Sequence, residues 1–157
     1  MKIYLTTGKG EGPTPLAAFD AALRDAGVAN YNLICLSSVI PPHSEIVPTK
    51  FAPPGDEYGH RLYVVMARHD TQQRGETAWA ALGWTQDVGD GRGLFVELHG
   101  SDKADVEQRL EATLAAMIAA RPYAYGPIQK EVVGVPCDGC PVCALVVAVY
   151  HSEGWNV

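Results

Sequence analysis

Residues 144–150, Ala-Leu-Val-Val-Ala-Val-Tyr, decide the fold, because they form an unbroken apolar run of strand length. A strand with one face in water alternates polar and apolar residues, and this run does not, so both of its faces are predicted to be covered. The chain has 157 residues and is 47% apolar, which is enough to build the covering layers within one domain. We therefore expect a single layered domain over residues 1–157.

The remaining segments predict what those layers contain. Turn residues separate several strand-like segments, and two longer segments have apolar residues at helical spacing. The other predicted strands are residues 2–7, 31–36, 61–69, 76–87, 93–99 and 128–135, of which 31–36 is expected to be a buried strand. The proline-rich stretch 45–59 is predicted to be a loop. Together these elements predict an α/β sandwich of meandering antiparallel strands, with helices on at least one sheet.

Capping signals place the two helices. Thr14 is the expected N-cap of the first helix, with Pro15 at its first position and Gly27 after its end. Ser101 is the expected cap of the second helix, residues 102–120. The apolar positions expected to face the core are Leu16, Phe19, Ala22, Leu23 and Ala26 in the first helix and Val106, Leu110, Leu114, Met117 and Ile118 in the second.

Charge and local motifs exclude several classes of function. The net charge of -6 offers no basic surface for nucleic acid or an anionic membrane, and it is compatible with a cationic substrate. Residues 8–13 are glycine-rich but lack the spacing of a phosphate-binding loop, so they predict a flexible turn. No apolar run is long enough for a signal peptide or a membrane span, which predicts a cytoplasmic protein.

Five blocks of sequence carry a family resemblance. They are Leu-Ala-Ala-Phe-Asp-Ala-Ala-Leu-Arg-Asp-Ala-Gly at 16–27, Asn-Tyr-Asn-Leu at 30–33, Leu-Ser-Ser-Val-Ile-Pro-Pro at 36–42, Ala-Ala-Leu-Gly-Trp at 80–84 and Gly-Leu-Phe-Val-Glu at 93–97. In this order the blocks resemble the pyruvoyl-dependent arginine decarboxylase family over most of the chain. The resemblance implies a four-layer αββα sandwich of largely antiparallel sheets. It also implies a homotrimer, or a dimer of trimers, with each active site at a subunit boundary.

The resemblance assigns the chemistry to the serine pair of the third block. Decarboxylation of an amino acid leaves a carbanion at Cα, so such enzymes need an electron sink such as pyridoxal phosphate. In the family a covalent pyruvoyl group takes that place. Here it would derive from Ser38 after the Ser38 hydroxyl attacks the carbonyl of Ser37, which cuts the chain into residues 1–37 and 38–157. The expected reaction converts arginine to agmatine and carbon dioxide, with neither pyridoxal phosphate nor a metal ion.

Three further residues match positions that have roles in the family. Asn32 would donate a hydrogen bond to the oxyanion that forms during cleavage, and Glu97 would return a proton to the substrate Cα. Asp20 would bind the guanidinium of arginine. The residues also allow a simpler interpretation. A serine pair can end a strand, an aspartate on a helix is usually solvated, and a glutamate in an apolar strand can face water.

Cysteine spacing leaves an alternative open. Cys137, Cys140 and Cys143 resemble the start of an iron–sulfur ligand run, but Val147 stands where a fourth thiolate would follow. Cys35 would complete a site only if the tail folded against it. The alternative functions are the same mechanism on another amino acid, or a non-enzymatic, metal-binding homologue that uses the three clustered cysteines. The five histidines show no paired spacing on a helix, and none is assigned to chemistry.

Overall fold

The structure is a computed structural model that describes residues 1–156, so Val157, the last residue of the expected domain, lies outside it. The strands are β1 (Lys2–Glu11), β2 (Asn32–Cys35), β3 (Val39–Ile40), β4 (Glu45–Pro48), β5 (Arg61–Thr71), β6 (Thr77–Gln86), β7 (Gly93–Gly100), β8 (Gln129–Pro136) and β9 (Val142–Glu153). The helices are α1 (Pro15–Ala26) and α2 (Lys103–Ala119). Within residues 1–156, neither helix combines the length and apolar character needed to cross a membrane. The cytoplasmic location stays a prediction.

The strands form two stacked sheets with one helix outside each. Sheet A has the order β2-β5-β9-β1-β4, and sheet B has the order β3-β7-β6-β8. Among the strands of residues 1–156, only two pairs, β1 with β4 and β2 with β5, are parallel. Three apolar clusters fill the spaces between α1 and sheet A, between the two sheets, and between sheet B and α2. The expected four-layer αββα sandwich of largely antiparallel sheets is confirmed.

The central strand β9 has both faces buried, as its apolar run predicts. Alternate side chains point to opposite faces of a strand, so one set packs against sheet B and the other against α1. The first set is Val142, Ala144, Val146 and Ala148, and the second is Cys143, Leu145, Val147 and Val149. An apolar residue is therefore required at every position of the run.

Glycines bring β1 and α1 into close contact. A Cβ on Gly8 would lie 2.0 Å from the carbonyl oxygen of Ala22, and a Cβ on Gly10 would lie 2.1 Å from that of Ala18. Both glycines pair with β9 as part of β1. The flexible turn predicted for residues 8–13 is therefore wrong, because these glycines serve helix packing within a strand.

The predicted helix boundaries are confirmed at α1 and shifted at the start of α2. Thr14 caps α1 by accepting a backbone hydrogen bond at 3.2 Å, and Gly27 ends it with a left-handed φ of 82°. Asp102 rather than Ser101 caps α2. Its carboxylate accepts a hydrogen bond from the N–H of Asp105 at 2.8 Å. An aspartate at this position also interacts favourably with the helix dipole.

The buried helix faces agree with the predicted apolar positions except at Leu16. In α2, all five predicted residues pack against sheet B. In α1, Ala18, Ala22 and Ala26 are fully buried, whereas Leu16 is 73% exposed. Gly8 and Gly10 of β1 let the backbone of α1 approach the strand closely. The small residues of the helix therefore face sheet A, and its larger residues lie at the sides of this contact. The prediction that Leu16 faces the core is wrong.

Three strand predictions are also wrong. β5 and β6 do not pair as neighbours in a meander but lie in different sheets, because β5 pairs with β9. Residues 45–48 form β4, an edge strand parallel to β1, where a loop was expected. β2 is a largely exposed edge strand rather than a buried one. Edge positions tolerate proline and polar residues, and for this reason a strand such as β4 resembles a loop in the sequence.

Candidate active site

Ser37 and Ser38 lie where the chain crosses from one sheet to the other. β2 is an edge strand of sheet A, β3 is an edge strand of sheet B, and only residues 36–38 connect them. Ser37 is exposed and Ser38 is half-buried. The crossover therefore presents the serine pair at the rim of the gap between the sheets.

Ser38 has a backbone conformation that residues other than glycine rarely adopt. Its φ is 67°, in the left-handed region, which costs an L-residue about 1–2 kcal/mol. The carbonyl of Ser38 accepts a hydrogen bond from the N–H of Phe95 at 2.8 Å. Val39 then pairs with Leu94 in sheet B. These contacts with β7 hold the strained residue in place.

Glu97 brings a carboxylate to Ser38. It follows Phe95 by two residues on β7, so its side chain points to the same side as the buried Phe95 ring, into the gap between the sheets. Ser38 Oγ donates a hydrogen bond to Oε1 of Glu97. Within the described residues, β3 pairs with β7 only at the first two residues of β7, Gly93 and Leu94. The edge of β7 beside Glu97 therefore has no partner strand there. The structure thus brings together two predicted site residues that are 59 positions apart.

Tyr150 joins this site, and the sequence did not identify it. Its hydroxyl donates a hydrogen bond to the carbonyl of Val39 at 3.0 Å, and its ring packs edge-on against Phe95 with a centroid distance of 6.3 Å. Burial raises the pKa of Tyr150 well above its usual range, and the Glu97 carboxylate acts in the same direction. The hydroxyl therefore remains a donor. The signal in the sequence is that the apolar run 144–150 ends in Tyr150, an aromatic residue with a polar hydroxyl that needs a hydrogen-bond partner when buried.

Asn32 lies at the far end of β2 from the serine pair. Its backbone N–H donates to the carbonyl of His60 at 2.8 Å, and its side-chain Nδ2 donates to the carbonyl of Gly59 at 2.7 Å. The extended segment from Asn32 to Leu36 spans about 13 Å at a rise of roughly 3.3 Å per residue. Within one chain, the structure therefore does not bring Asn32 to the carbonyl of Ser37.

Asp20 lies on an exposed face of α1. Its side chain is 59% exposed and accepts a hydrogen bond from Nε of Arg24 at 3.0 Å. Exposed helix pairs of this kind contribute little to stability, so the carboxylate remains available to another guanidinium. α1 covers the outer face of sheet A, whereas Ser38 lies on the inner side. The chain by itself does not bring Asp20 to Ser38.

The three clustered cysteines do not form one metal site. Cys137 packs in the core between the sheets, and Cys143 packs beneath α1. Burial raises the pKa of Cys143 well above its usual range, which keeps this thiol protonated and a poor ligand. Within residues 1–156, the one group of three possible ligands contains Cys140 with Glu11 and Asp138, all exposed. The alternative that placed all three cysteines at one metal is wrong.

This chain is similar to known proteins over nearly its whole length, so the similarity includes all the residues described above. A family model described as "Pyruvoyl-dependent arginine decarboxylase" matches residues 2–153. A protein of that name from Halobacterium salinarum is 36% identical over 154 residues, which are 97% of this chain and 95% of the relative. "Pyruvoyl-dependent arginine decarboxylase 1" of Archaeoglobus fulgidus is 29% identical over 148 residues, 94% of each chain. "Pyruvoyl-dependent arginine decarboxylase 2" of Methanosarcina mazei is 31% identical over 121 residues, 75% of this chain and 66% of the relative.

Proposed function

Because this chain belongs to the pyruvoyl-dependent arginine decarboxylase family, we propose that it cuts itself between Ser37 and Ser38 and then decarboxylates arginine to agmatine. The observation that carries the proposal is the hydrogen bond from Ser38 Oγ to the carboxylate of Glu97, at a residue with a strained backbone. Ser38 is the precursor of the covalent pyruvoyl group. Neither pyridoxal phosphate nor a metal ion takes part.

In the cleavage step, Glu97 accepts the hydroxyl proton of Ser38, and Oγ attacks the carbonyl carbon of Ser37. The peptide C–N bond breaks as the ester C–O bond forms, and the freed nitrogen takes a proton. Loss of the Cα proton of Ser38 then expels the carboxylate of Ser37 and leaves dehydroalanine at position 38. Water adds and ammonia leaves, which gives the pyruvoyl group. The two products are residues 1–37 and 38–157.

The backbone of Ser38 favours this reaction. Its left-handed φ of 67° costs about 1–2 kcal/mol in the uncut chain. Once the peptide bond is broken and ammonia has left, residue 38 has no backbone nitrogen and therefore no φ, so this cost is absent from the product. The hydrogen bonds from Phe95 and Tyr150 lie on the C-terminal side of the cut bond, to the carbonyls of Ser38 and Val39. They can persist while the N-terminal side separates.

The same contacts fit the finished group, because its three carbon atoms and the oxygen of its amide carbonyl are those of residue 38. The carbonyl of that residue stays within reach of the Phe95 N–H, and Tyr150 holds the next carbonyl. The pyruvoyl carbonyl supplies the electron sink that decarboxylation needs. Glu97 lies against the side-chain position of residue 38, where it is placed to return a proton to the substrate Cα.

We further propose that a neighbouring subunit of a homotrimer, or of a dimer of trimers, completes each site. Asp20 already binds a guanidinium, that of Arg24, on an exposed surface. Leu16, one turn before it, is 73% exposed, and Val39 beside the serine pair is 58% exposed. A contiguous apolar surface beside polar groups is typical of an association site, and Leu16 lines one surface depression together with Phe19, Leu23 and Asp20. Asp20, and Asn32 as the oxyanion donor, would then reach Ser37 and Ser38 of another copy.

Mass spectrometry of the purified chain tests the cleavage. We expect two fragments, 1–37 and 38–157, with a pyruvoyl group at the start of the larger one. Ser38→Ala should stay intact, because it lacks the nucleophile. Ser37→Ala should still be cut, because the reaction uses only the carbonyl of Ser37. An intact chain with an unmodified Ser38 after long incubation would contradict the proposal.

Chromatography of reaction mixtures tests the substrate. The cut protein should convert arginine to agmatine with release of one carbon dioxide per turnover, and Ser38→Ala should not. Lysine and ornithine carry an ammonium in place of the planar guanidinium, so a carboxylate cannot bind them by the same paired hydrogen bonds. Faster turnover of either would retain the mechanism and overturn the assignment of arginine.

A further inference from the structure

His69 and His99 are 30 residues apart in the sequence and meet across the gap between the two sheets. Nδ1 of His69 lies 3.0 Å from Nδ1 of His99. The ring centroids are 5.1 Å apart, and the ring planes are inclined by only 24°. The distance between the ring centroids is longer than the distance between the Nδ1 atoms by nearly twice the distance from a ring centroid to its own nitrogen. The two Nδ1 atoms therefore point at one another along the line that joins the rings.

The pair lies on the same open rim as Ser38 and Glu97. His99 follows Glu97 by two residues on β7, so both side chains point into the gap between the sheets. His69 follows Ala67 by two residues on β5, and Ala67 packs in the core between the sheets. Within the described residues, the edge strands β2 and β3 end their pairing with β5 and β7 before this point. Neither histidine is part of the proposed decarboxylation.

We propose that His69 and His99 bind a transition-metal ion of the Zn²⁺ or Ni²⁺ type through their two Nδ1 atoms. Imidazole nitrogens suit these ions. Two of them bound to a tetrahedral ion at about 2.0–2.1 Å are roughly 3.3 Å apart, so the present separation of 3.0 Å needs only a small widening and a tilt of the rings. Water molecules complete the coordination.

Protons balance without any redox step. One Nδ1 carries a hydrogen that it donates to the other Nδ1. When the ion binds, this proton moves through solvent to Nε2 of the same ring. Each neutral imidazole then presents a free Nδ1 lone pair to the metal.

The surroundings favour a cation and leave it a route of entry. His99 is exposed and gives access to solvent, whereas His69 is half-buried. Burial lowers the pKa of His69, and His99 acts in the same direction, which favours the neutral ring that a metal ion requires. The carboxylates of Asp70 and Glu76 act on His69 from nearby, although Asp70 is paired with Arg68 at 2.6 Å. Glu76, which accepts a hydrogen bond from the hydroxyl of Thr71 at 2.7 Å and forms no ion pair within residues 1–156, adds negative charge on this side of the pair.

An ion at this position joins the two sheets. One ligand belongs to β5 of sheet A and the other to β7 of sheet B. Both ligands are in place only in the folded chain, so binding stabilises the folded state by mass action. The site thus has a thermal readout that is independent of decarboxylation.

Titration of the protein without a polyhistidine tag tests the site. We expect calorimetric titration with Ni²⁺ or with Zn²⁺ to give one bound ion per chain. Either metal should raise the melting temperature of the protein. His69→Gln and His99→Gln should each abolish the binding and the thermal shift. His151→Gln is the matched control, because His151 also lies on a strand and its ring stacks on Tyr63. It should bind as the unmodified chain does.

A second control distinguishes binding at the two histidines from binding at the exposed group of Glu11, Asp138 and Cys140. Cys140→Ser removes the thiol from the group that contains Glu11 and Asp138. Binding that persists in Cys140→Ser supports the histidine site. Binding that is lost in Cys140→Ser and kept in both His69→Gln and His99→Gln overturns the proposal, as does an absence of binding in the unmodified chain. These measurements contain no arginine, so they stand or fall apart from the decarboxylase proposal.

Discussion

Residue 38 combines a left-handed backbone conformation with a hydroxyl that donates a hydrogen bond to the carboxylate of Glu97. The left-handed φ of 67° is held by the hydrogen bond from the Phe95 N–H to its carbonyl and by the pairing of Val39 with β7. Strain of this kind persists only where the surrounding structure imposes it, and it is common at reactive sites. The geometry therefore indicates that the chain stores about 1–2 kcal/mol of backbone strain at Ser38, next to the peptide bond at which we propose cleavage.

A comparison of Ser38→Gly with Ser38→Ala measures that strain. Both variants lack the hydroxyl and should stay uncut, so their difference reflects the backbone alone. Glycine adopts φ near 67° without a steric penalty, and we expect Ser38→Gly to unfold in urea with a free energy about 1 kcal/mol higher than Ser38→Ala. If Ser38→Gly is instead less stable than Ser38→Ala by about 0.5–1 kcal/mol, the usual cost of glycine at an unstrained position, then Ser38 is not strained.

Replacement of Glu97 by glutamine removes the proposed proton acceptor and keeps the shape of the side chain. We expect Glu97→Gln to slow self-cleavage and to lower the decarboxylation rate of the cut fraction by about 100-fold or more. Glu131→Gln is the matched control, because Glu131 flanks Leu82 on β8 as Glu97 flanks it on β7. Cleavage is followed by mass spectrometry and decarboxylation by release of carbon dioxide. Similar losses in both variants would remove Glu97 from the mechanism.

Removal of the Tyr150 hydroxyl tests its role in positioning residue 38. Tyr150→Phe keeps the contact with Phe95 and loses the hydrogen bond to the Val39 carbonyl. We expect kcat per cut chain to fall about tenfold with little change in KM, because a misplaced reacting group lowers the rate of the chemical step. Tyr63→Phe, which loses a hydroxyl bond of 2.7 Å to Glu153, should keep its kcat. An unchanged kcat in Tyr150→Phe would contradict the assignment.

At the scale of elements, the contact between β1 and α1 sets the position of the helix that carries Asp20. Gly8 and Gly10 allow the carbonyls of α1 to approach the strand, and the alanines of the helix then fill the interface. The backbone of β1 is fixed by its pairing with β9, and it cannot retreat from a larger side chain. This contact therefore determines how far α1, with Leu16 and Asp20, stands out from sheet A.

Substitution of Gly8 by alanine tests this contact. The new Cβ would lie 2.0 Å from the carbonyl oxygen of Ala22, so strand and helix must move apart. We expect Gly8→Ala to lower the free energy of unfolding by about 1–3 kcal/mol, measured in urea. Gly55→Ala is the control, because nothing lies within 4 Å of its added Cβ, and its effect should stay within about 0.5 kcal/mol. Equal effects in the two variants would show that the helix yields easily.

At the scale of the molecule, one chain does not bring its four predicted site residues together. Ser38 and Glu97 meet on the inner side of the sheets, whereas Asp20 lies on the outer helix and Asn32 at the far end of β2. No motion within a sandwich of these layers brings all four residues together without loss of its core. An assembly in which subunits share their sites satisfies the geometry.

Mixed assemblies test this sharing. Ser38→Ala lacks the pyruvoyl precursor, and Asp20→Asn should raise KM for arginine while it still cuts itself. When the two chains are produced together, some boundaries combine an intact Ser38 from one chain with an intact Asp20 from the other. We expect activity at low arginine concentration that neither variant has alone. Asp105→Asn, which alters a similar exposed pair with Arg109, should leave KM unchanged.

If mixed assemblies show no more activity than the sum of the two variants, then Asp20 does not act across a boundary. Native mass spectrometry of the same samples measures the subunit number. A monomer that is fully active would overturn the proposed assembly and leave the cleavage chemistry untouched.

The sequence by itself determined the local features of this protein. The boundaries of α1 follow from Thr14 and Gly27, and the two covered faces of β9 follow from residues 144–150. The serine pair was recognised from the block at 36–42, and Glu97 was assigned from the block at 93–97. Caps, hydrophobic periods and short motifs depend on neighbours within a few positions, and such neighbours are visible in the sequence.

Only the tertiary structure decided which of these features meet. The contact of Ser38 with Glu97 joins residues 59 positions apart, that of His69 with His99 joins residues 30 positions apart, and that of Tyr150 with Val39 joins residues 111 positions apart. Each contact depends on which strand edges pair and on how the two sheets stack. Pairing and stacking are set by the packing of the whole core, so residue spacing along the chain does not reveal them.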